Sequence, residues 1–192
     1  MLAVKLLGAG SAYALAWWVS RHEGPAAYGR FELALTVLTI AALVARLGLD
    51  GVLVKWMAAS KVKGEEGVQR HLVGRVMLVT GLLAAPLLAA AMWWASPRLT
   101  SWLGDDTLDQ TWPWVAAGVP ILTIWGVSAE ALRGLSRMKS HALLQPGIVA
   151  AGAVACMMGL GWNIVPSYAA SLVASAMLGA VLVFMALPKG AE

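Results

Sequence analysis

The chain has 192 residues, of which 60% are hydrophobic and 12% are charged, and its mean hydropathy is +0.75. Soluble domains carry about 25% charged residues, so this composition excludes an ordinary soluble protein and predicts a polytopic membrane protein. The net charge of +4 does not indicate nucleic-acid binding, because the basic residues fall in short segments between apolar stretches. The single cysteine excludes an intrachain disulfide.

Six apolar segments in chain order predict membrane-spanning helices. A helix rises about 1.5 Å per residue and a hydrocarbon core is about 30 Å thick, so roughly 20 residues make one span. We predict an all-α bundle of six transmembrane helices that forms a single lobe over residues 1–192. The predicted spans are 2–20, 31–53, 72–95, 112–133, 142–163 and 166–187. Proline in the third span, at Pro86, predicts a kink there.

The second span carries an ordered set of polar residues. Glu32, Thr36, Thr39, Arg46 and Asp50 follow one another at steps of four, three, seven and four, so they would lie along one stripe of an α-helix. Ionisable residues inside a span predict a functional role, and we expect the stripe to face away from lipid. In the alternative interpretation, the arginine extends to the headgroups and the threonines bond to their own backbone carbonyls.

The ends of this span resemble a known family signature. Tyr28-Gly29-Arg30-Phe31 follows a Gly-Pro break, and Leu47-Gly48-Leu49-Asp50 is followed by Leu53-Val54-Lys55 at the other end. This order is similar to the second-helix signature of polysaccharide flippases, exporters of lipid-linked oligosaccharides that are related to multidrug and toxin extrusion transporters. A weaker similarity covers Ala131 to Arg137, with Gln145 beyond. The resemblance implies the amino-terminal six-helix lobe of a two-lobe transporter that works by alternating access.

Basic residues that line the cavity of such a transporter would contact the pyrophosphate of the lipid carrier. A guanidinium group suits this role because it binds phosphate oxygens in a bidentate geometry. Arg46 is the first substrate-binding candidate. The remaining cavity candidates are Arg30, Arg75, Arg133, Glu130 and Asp50.

The fourth span has one nearly bare face. Gly118, Gly126, Glu130 and Gly134 are separated by multiples of four residues, and only Leu122 adds an apolar side chain to this line. Glu130 has two predicted roles. It could pair with the arginine three residues later, or it could face a water-filled cavity.

Small residues recur every four positions in the last two spans. They are Gly147, Ala151, Ala155 and Gly159 in the fifth span, and Ser167, Ser171, Ser175 and Gly179 in the sixth. Because lipid gives no hydrophobic gain when two helices meet, close backbone approach over small residues supplies the attraction. We therefore predict a tight hairpin packed through these two stripes, with Val183 facing lipid.

The distribution of basic residues predicts the topology. Three of the 14 lie on the predicted outer side, at Arg21, Arg30 and Arg98. The other eleven lie on the side of both termini: Lys5, Arg46, Lys55, Lys61, Lys63, Arg70, Arg75, Arg133, Arg137, Lys139 and Lys189. Both termini are therefore expected in the cytoplasm. The outer segment 96–110 carries Asp105, Asp106 and Asp109, which favours a solvated loop over a cation site.

The sequence has no phosphate-binding loop, dinucleotide-binding motif or zinc-protease motif. We therefore expect no enzyme activity, no cofactor and no metal site. The leading function is a flippase lobe in the inner (plasma) membrane, with a lipid-linked oligosaccharide as candidate substrate. The alternatives are a non-catalytic membrane scaffold or subunit and a half-size drug or metabolite exporter that acts as a dimer. A two-lobe transporter would need a second lobe from a longer reading frame or a second copy of the chain.

Overall fold

The computed structural model describes residues 2–63, 66–103 and 111–187. All regular elements in these ranges are helices, which confirms the all-α class. The elements are α1 (Leu2–His22), α2 (Pro25–Ala45), α3 (Leu49–Lys63), α4 (Glu66–Met77), a π-helical segment (Leu78–Ala84), α5 (Ala85–Leu103), α6 (Trp112–Gly134), α7 (Met138–Ala142), α8 (Pro146–Leu160) and α9 (Ile164–Ala186).

Four stretches of the described chain are long and apolar enough to cross a bilayer. They are Pro25–Ala45, Gly67–Arg98, Trp112–Gly134 and Ile164–Ala186. The two other predicted spans correspond to α1 and α8, and α8 has only 15 residues, or about 22 Å of helix. The structure therefore agrees with a multi-pass membrane protein, whereas six crossings and cytoplasmic termini stay predictions.

The second predicted span is divided between two helices. The helix α2 begins at Pro25, six residues before the predicted start, because proline is well tolerated in the first turn of a helix. It ends at Ala45, because Leu47 and Gly48 adopt left-handed φ angles of 54° and 70°. A new helix, α3, begins at residue 49. As a result Asp50 lies at the start of α3, and the predicted helix over 31–53 is interrupted.

The third predicted span is one continuous helical rod made of α4, the π-helical segment and α5. The backbone N–H of Ala85 bonds to the carbonyl of Thr80, five residues back, so the wide turn lies just before Pro86. Proline lacks an N–H and its ring clashes with the carbonyl four residues earlier, which a locally widened helix relieves. The irregularity expected at Pro86 thus takes the form of a π-helical turn.

The helix α6 is at the centre of the bundle, in contact with α2, α3, α5 and α9. Three apolar clusters form around it and beside it. Met57 and Leu132 belong to the cluster between α3, α6 and α9, and Leu38 and Val119 to the cluster between α2, α5 and α6. The third cluster, which includes Val19, joins α1 and α2 to α8 and α9.

The small residues of α9 are buried, as the sequence predicted for a packing stripe. Ser167, Ser171, Ser175 and Gly179 are all buried. The Ser171 Oγ donates a hydrogen bond to the carbonyl of Val149 in α8, at 2.8 Å. Further along α9, a Cβ at Gly179 would lie 3.1 Å from Ser128 of α6. The stripe therefore packs against two helices, α8 at one end and α6 at the other.

The stripe predicted on α8 does not face α9. Ala151, Ala155 and Gly159 are exposed in the described bundle, and Gly147 lies against Gly8 of α1. The close contact with α9 is made instead at Gly152, where a Cβ would overlap the Ser171 hydroxyl. Since steps of four residues drift about 40° around a helix, and small residues occur on several faces of α8, spacing alone could not select the contact face.

The prediction that Val183 faces lipid is also wrong. Its side chain is fully buried in the cluster between α3, α6 and α9 instead of facing lipid. The reason is that α9 packs against α6 and α8 together, so a wide sector of its surface is covered. A bulky substitution at Val183 is therefore expected to disturb helix packing.

Candidate functional site

Four charged side chains lie close together where the α2–α3 turn meets α6. They are Arg46, Asp50, Glu130 and Arg133, and with Gly126 we call them the polar corner. The Nη1 of Arg46 donates to the Oδ2 of Asp50 at 2.8 Å, and the Nη1 of Arg133 donates to the Oε2 of Glu130 at 3.3 Å. Arg46 contacts Gly126 of α6, and Glu130 is near enough to interact with Asp50, so the two ion pairs bring four of the six cavity candidates into one site.

The turn after α2 is what brings Arg46 and Asp50 together. Arg46 caps the carboxyl end of α2 and keeps helical φ and ψ angles, and its Nε donates to the carbonyl of Ala42 at 3.3 Å. Asp50 follows in the first turn of α3, where a carboxylate is favoured by the positive end of the helix dipole. The ion pair therefore bridges the left-handed turn between the two helices.

The bare face of α6 receives the side chains of α2 and α3. A Cβ at Gly126 would lie only 2.8 Å from the Arg46 Nη1 and 3.1 Å from its Cζ, so the guanidinium rests on the α6 backbone. In the same way Gly118 faces Leu38, and Gly134 faces Met57. The line of glycines noted in the sequence is thus a docking surface for the α2–α3 corner.

The electrostatics of the polar corner are unbalanced around Asp50. Its second oxygen, Oδ1, is buried and has no hydrogen-bond partner among the described residues. The carboxylate of Glu130 is also close enough to repel it. The Arg46 and Asp50 side chains are 19% and 21% exposed, so solvent reaches the pair but does not surround it. A carboxylate in this position is stabilised mainly by one guanidinium.

Two of the predicted cavity residues lie elsewhere. Arg30 is near the opposite end of α2, 16 residues before Arg46, which corresponds to about 24 Å along the helix. Arg75 is exposed on α4. Neither is part of the polar corner, although the sequence grouped them with it.

The polar stripe of α2 separates into two parts. Thr36 and Thr39 are exposed in the described bundle, and their hydroxyls donate to backbone carbonyls one turn earlier, at 2.8 Å and 2.7 Å. Glu32 accepts a hydrogen bond from the Tyr28 hydroxyl at 2.5 Å. Only Arg46 and Asp50 turn towards α6. The threonines thus behave as the alternative interpretation of the stripe predicted.

The sequence-based prediction missed several buried polar groups on α6. The Thr123 Oγ1, the Trp125 Nε1 and the Ser128 Oγ are buried without a hydrogen-bond partner in the described part of the chain. An unpaired polar group in a membrane interior is costly, so water or a ligand group is expected near them. The sequence pattern could have indicated this group, because the three polar side chains lie close together in an otherwise apolar stretch of α6.

A separate cavity of about 150 Å³ lies between α2, α6 and α9. Its walls include Phe31, Leu38, Gly118, Trp114 and Tyr168, and none of its lining residues is charged. This apolar cavity suits an aliphatic group, whereas the polar corner offers cationic hydrogen-bond donors. The two features are therefore chemically distinct.

Metal binding has little support in the described residues. Within 2–63, 66–103 and 111–187, no three His, Cys, Asp or Glu side chains are grouped closely enough to hold an ion. The acidic segment with Asp105, Asp106 and Asp109 lies outside the described residues, so its predicted role as a solvated loop stays a prediction.

Comparison with known proteins identifies a family. The model of a family described as polysaccharide biosynthesis protein matches residues 2–189. No curated protein and no solved structure matches the chain. The matched range contains all four membrane-length helices and the whole polar corner.

Proposed function

The chain belongs to the polysaccharide biosynthesis protein family, and on this basis we propose that it forms one lobe of a flippase for lipid-linked oligosaccharides in the inner (plasma) membrane. The observation that carries the proposal is the family match over 2–189. The four membrane-length helices support it, because such a transporter must be embedded in the bilayer. The function is transport, without an enzymatic step or a cofactor.

Arg46 is the proposed receptor for the carrier's phosphate groups. Its guanidinium is partly exposed, is held on the backbone of Gly126, and is oriented by the hydrogen bond to Ala42. A fork of fixed N–H donors binds two phosphate oxygens at once, which a lysine ammonium cannot do with the same geometry. The arginine is therefore placed and oriented for an anion that approaches the α2–α3 corner.

Transport by alternating access needs a second lobe that faces this one. A second six-helix unit, either from a longer chain or from another copy, would enclose a cavity with the exposed polar side of α2. The hydroxyls of Thr36 and Thr39 already bond to backbone carbonyls, so they would make that wall compatible with water without leaving unpaired donors.

The test is complementation of a strain that lacks its flippase, with the chain expressed alone and together with a matching carboxyl-terminal half. Arg46→Ala should abolish complementation, and Arg46→Lys should restore it only in part. Lys55→Ala is the matched control, because this lysine is exposed on α3 near the same corner. The amount of inserted protein must be equal in all strains.

Removal of Arg46 alone leaves Asp50 without its cation, which lowers the stability of the folded chain. The double variant Arg46→Gln/Asp50→Asn is therefore included, since both substitutions are neutral and similar in shape. Loss of complementation in this well-inserted double variant supports the proposal. Full complementation by Arg46→Lys or by the double variant would contradict a role for Arg46 in anion binding.

A scaffold function is the second candidate, and the exposed small residues of α8 favour it. Ala151, Ala155 and Gly159 face outward in the described bundle, and nothing lies within 4 Å of a Cβ built at Gly159. Small residues on a lipid-facing surface allow a partner helix to approach closely. In this case Ala155→Leu should abolish function, whereas Arg46→Ala should be tolerated in the same complementation assay.

A further inference from the structure

The cation proposed to bind phosphate is already paired inside the protein. The Nη1 of Arg46 is 2.8 Å from the Oδ2 of Asp50, and both side chains are mostly buried. An incoming phosphate oxygen would compete with that carboxylate for the same guanidinium. A phosphate bound across Nη1 and Nη2 shares Nη1 with Asp50, so this mode of anion binding weakens the hydrogen bond to Asp50.

When that hydrogen bond is weakened, the Asp50 anion loses its guanidinium partner and keeps only the favourable dipole at the start of α3. Its Oδ1 has no partner among the described residues, so Arg46 supplies the one hydrogen bond that the structure shows for the carboxylate. Glu130 of α6 adds a negative charge nearby. A buried carboxylate without a cation or hydrogen-bond donors favours its neutral form.

The charge balance leads to the same conclusion. Arg46 and Arg133 carry two positive charges, and Asp50 and Glu130 carry two negative charges, so these four side chains sum to zero. A diphosphate diester would bring two further negative charges to the corner. If Asp50 takes up one proton, the net negative charge of the occupied corner falls by one.

The other ionisable groups around Asp50 do not share the Arg46 hydrogen bond that an anion would weaken. On α6, Glu130 is hydrogen bonded to Arg133. On α7, His141 contacts the backbone carbonyl of Ala129 through its Nδ1, at 2.9 Å. The ionisable side chains described on α3 and α4, apart from Asp50, are exposed; they are Lys55, Lys63, Arg70, His71 and Arg75.

We propose that binding of a phosphate anion at Arg46 is linked to the uptake of one proton by Asp50. The hydrogen bond from Arg46 to Asp50 is exchanged for one from Arg46 to a phosphate oxygen, and the proton comes from solvent to an Asp50 oxygen. Asp50 is then a positioning residue that makes anion affinity depend on pH. The proposal rests on the proposed function to the extent that Arg46 is the anion receptor.

The expected pH dependence has a definite sign and size. If one proton is taken up for each anion bound, affinity falls tenfold for each unit of rising pH. Binding is thus tighter on the more acidic side. The slope becomes flat at low pH, where Asp50 already carries its proton before the anion arrives.

The experiment is isothermal titration calorimetry of the detergent-solubilised full chain with farnesyl-diphospho-N-acetylglucosamine. This probe is a diphosphate diester, so it lacks the second phosphate ionisation near pH 6. Titrations in two buffers of different ionisation enthalpy, from about pH 5 to about pH 8, count the protons taken up per ligand bound. The expected result is an uptake that approaches one proton within this range.

Asp50→Asn is the decisive variant, because it keeps the shape of the side chain and cannot take up the proton. It should bind the probe without proton uptake and with an affinity that does not change with pH. Glu32→Gln is the matched control, because it also replaces a carboxylate by an amide but lies on α2 outside the polar corner, and it should keep the proton uptake of the unmodified chain.

Each outcome separates this proposal from the proposed function. Binding without proton uptake in the unmodified chain overturns the proposal and leaves the flippase function intact. Proton uptake that persists in Asp50→Asn, or disappears in Glu32→Gln, also overturns the assignment to Asp50. No binding of the probe by the unmodified chain overturns both this proposal and the role of Arg46.

Discussion

The close contact between Gly126 and Arg46 gives the sharpest prediction for stability. An alanine at position 126 would place its Cβ 2.8 Å from the Arg46 Nη1 and 3.1 Å from its Cζ. The α6 backbone is fixed by packing on several helices, so the flexible arginine must move. Since the same Nη1 holds Asp50 at 2.8 Å, Gly126→Ala is expected to break that ion pair.

Two opposing effects set the size of the change in stability. Replacement of a glycine inside a helix by alanine stabilises the helix by about 0.5–1 kcal/mol. Loss of a hydrogen bond to a charged group costs about 1.5–3 kcal/mol. The lost hydrogen bond outweighs the gain in helix stability, so Gly126→Ala should lower the free energy of unfolding by about 1–2 kcal/mol. For a chain of this size, that corresponds to a fall of a few degrees in the unfolding midpoint.

The assay is thermal unfolding in detergent, with Gly74→Ala as the matched control. Gly74 lies inside α4, and nothing is within 4 Å of a Cβ built there, so only the helix-propensity gain applies. In an Asp50→Asn background, Gly126→Ala should cost less than in the unmodified chain, because the charged pair is already absent. If Gly126→Ala is as stabilising as Gly74→Ala, the proposed position of Arg46 is wrong.

Three further predictions follow from the packing and the topology. Gly152→Leu should lower stability in detergent, because the leucine side chain would collide with α9. Ala155→Leu should leave the unfolding midpoint of the isolated chain unchanged, because Ala155 is exposed. Equal effects of the two variants would contradict the face of α8 assigned to α9. Leu47→Gly should stabilise the chain by about 1 kcal/mol, because glycine adopts the left-handed backbone conformation without the cost that leucine has. Little packing is lost, since the Leu47 side chain is 62% exposed. A lower unfolding midpoint would show that the turn is unstrained. Reporter fusions should place the carboxyl terminus in the cytoplasm and the segment between α5 and α6 outside, and a carboxyl-terminal reporter on the outside would exclude six crossings.

The membrane class and the central helices could be predicted from the sequence because their signals are local. Hydrophobic length alone sets where α6 and α9 lie, at Trp112–Gly134 and Ile164–Ala186, within two residues of the predicted 112–133 and 166–187. The bare line on α6 was also visible, because glycines at multiples of four form a line that drifts slowly around the helix, and α2 and α3 follow this line. The residue order of the second span was enough to indicate the family that the match over 2–189 shows.

The tertiary structure decided which of several similar faces makes each contact. On α8, small residues occur all around the helix, so the choice of Gly152 over Ala155 depends on where α1 and α9 lie. The grouping of Arg46 with Glu130 could not be read from the sequence, since 84 residues separate them and the apolar runs do not encode their distance. The end of α2 was missed for a related reason: Leu47 disfavours a left-handed conformation, and the packing of α3 on α6 must compensate for its cost.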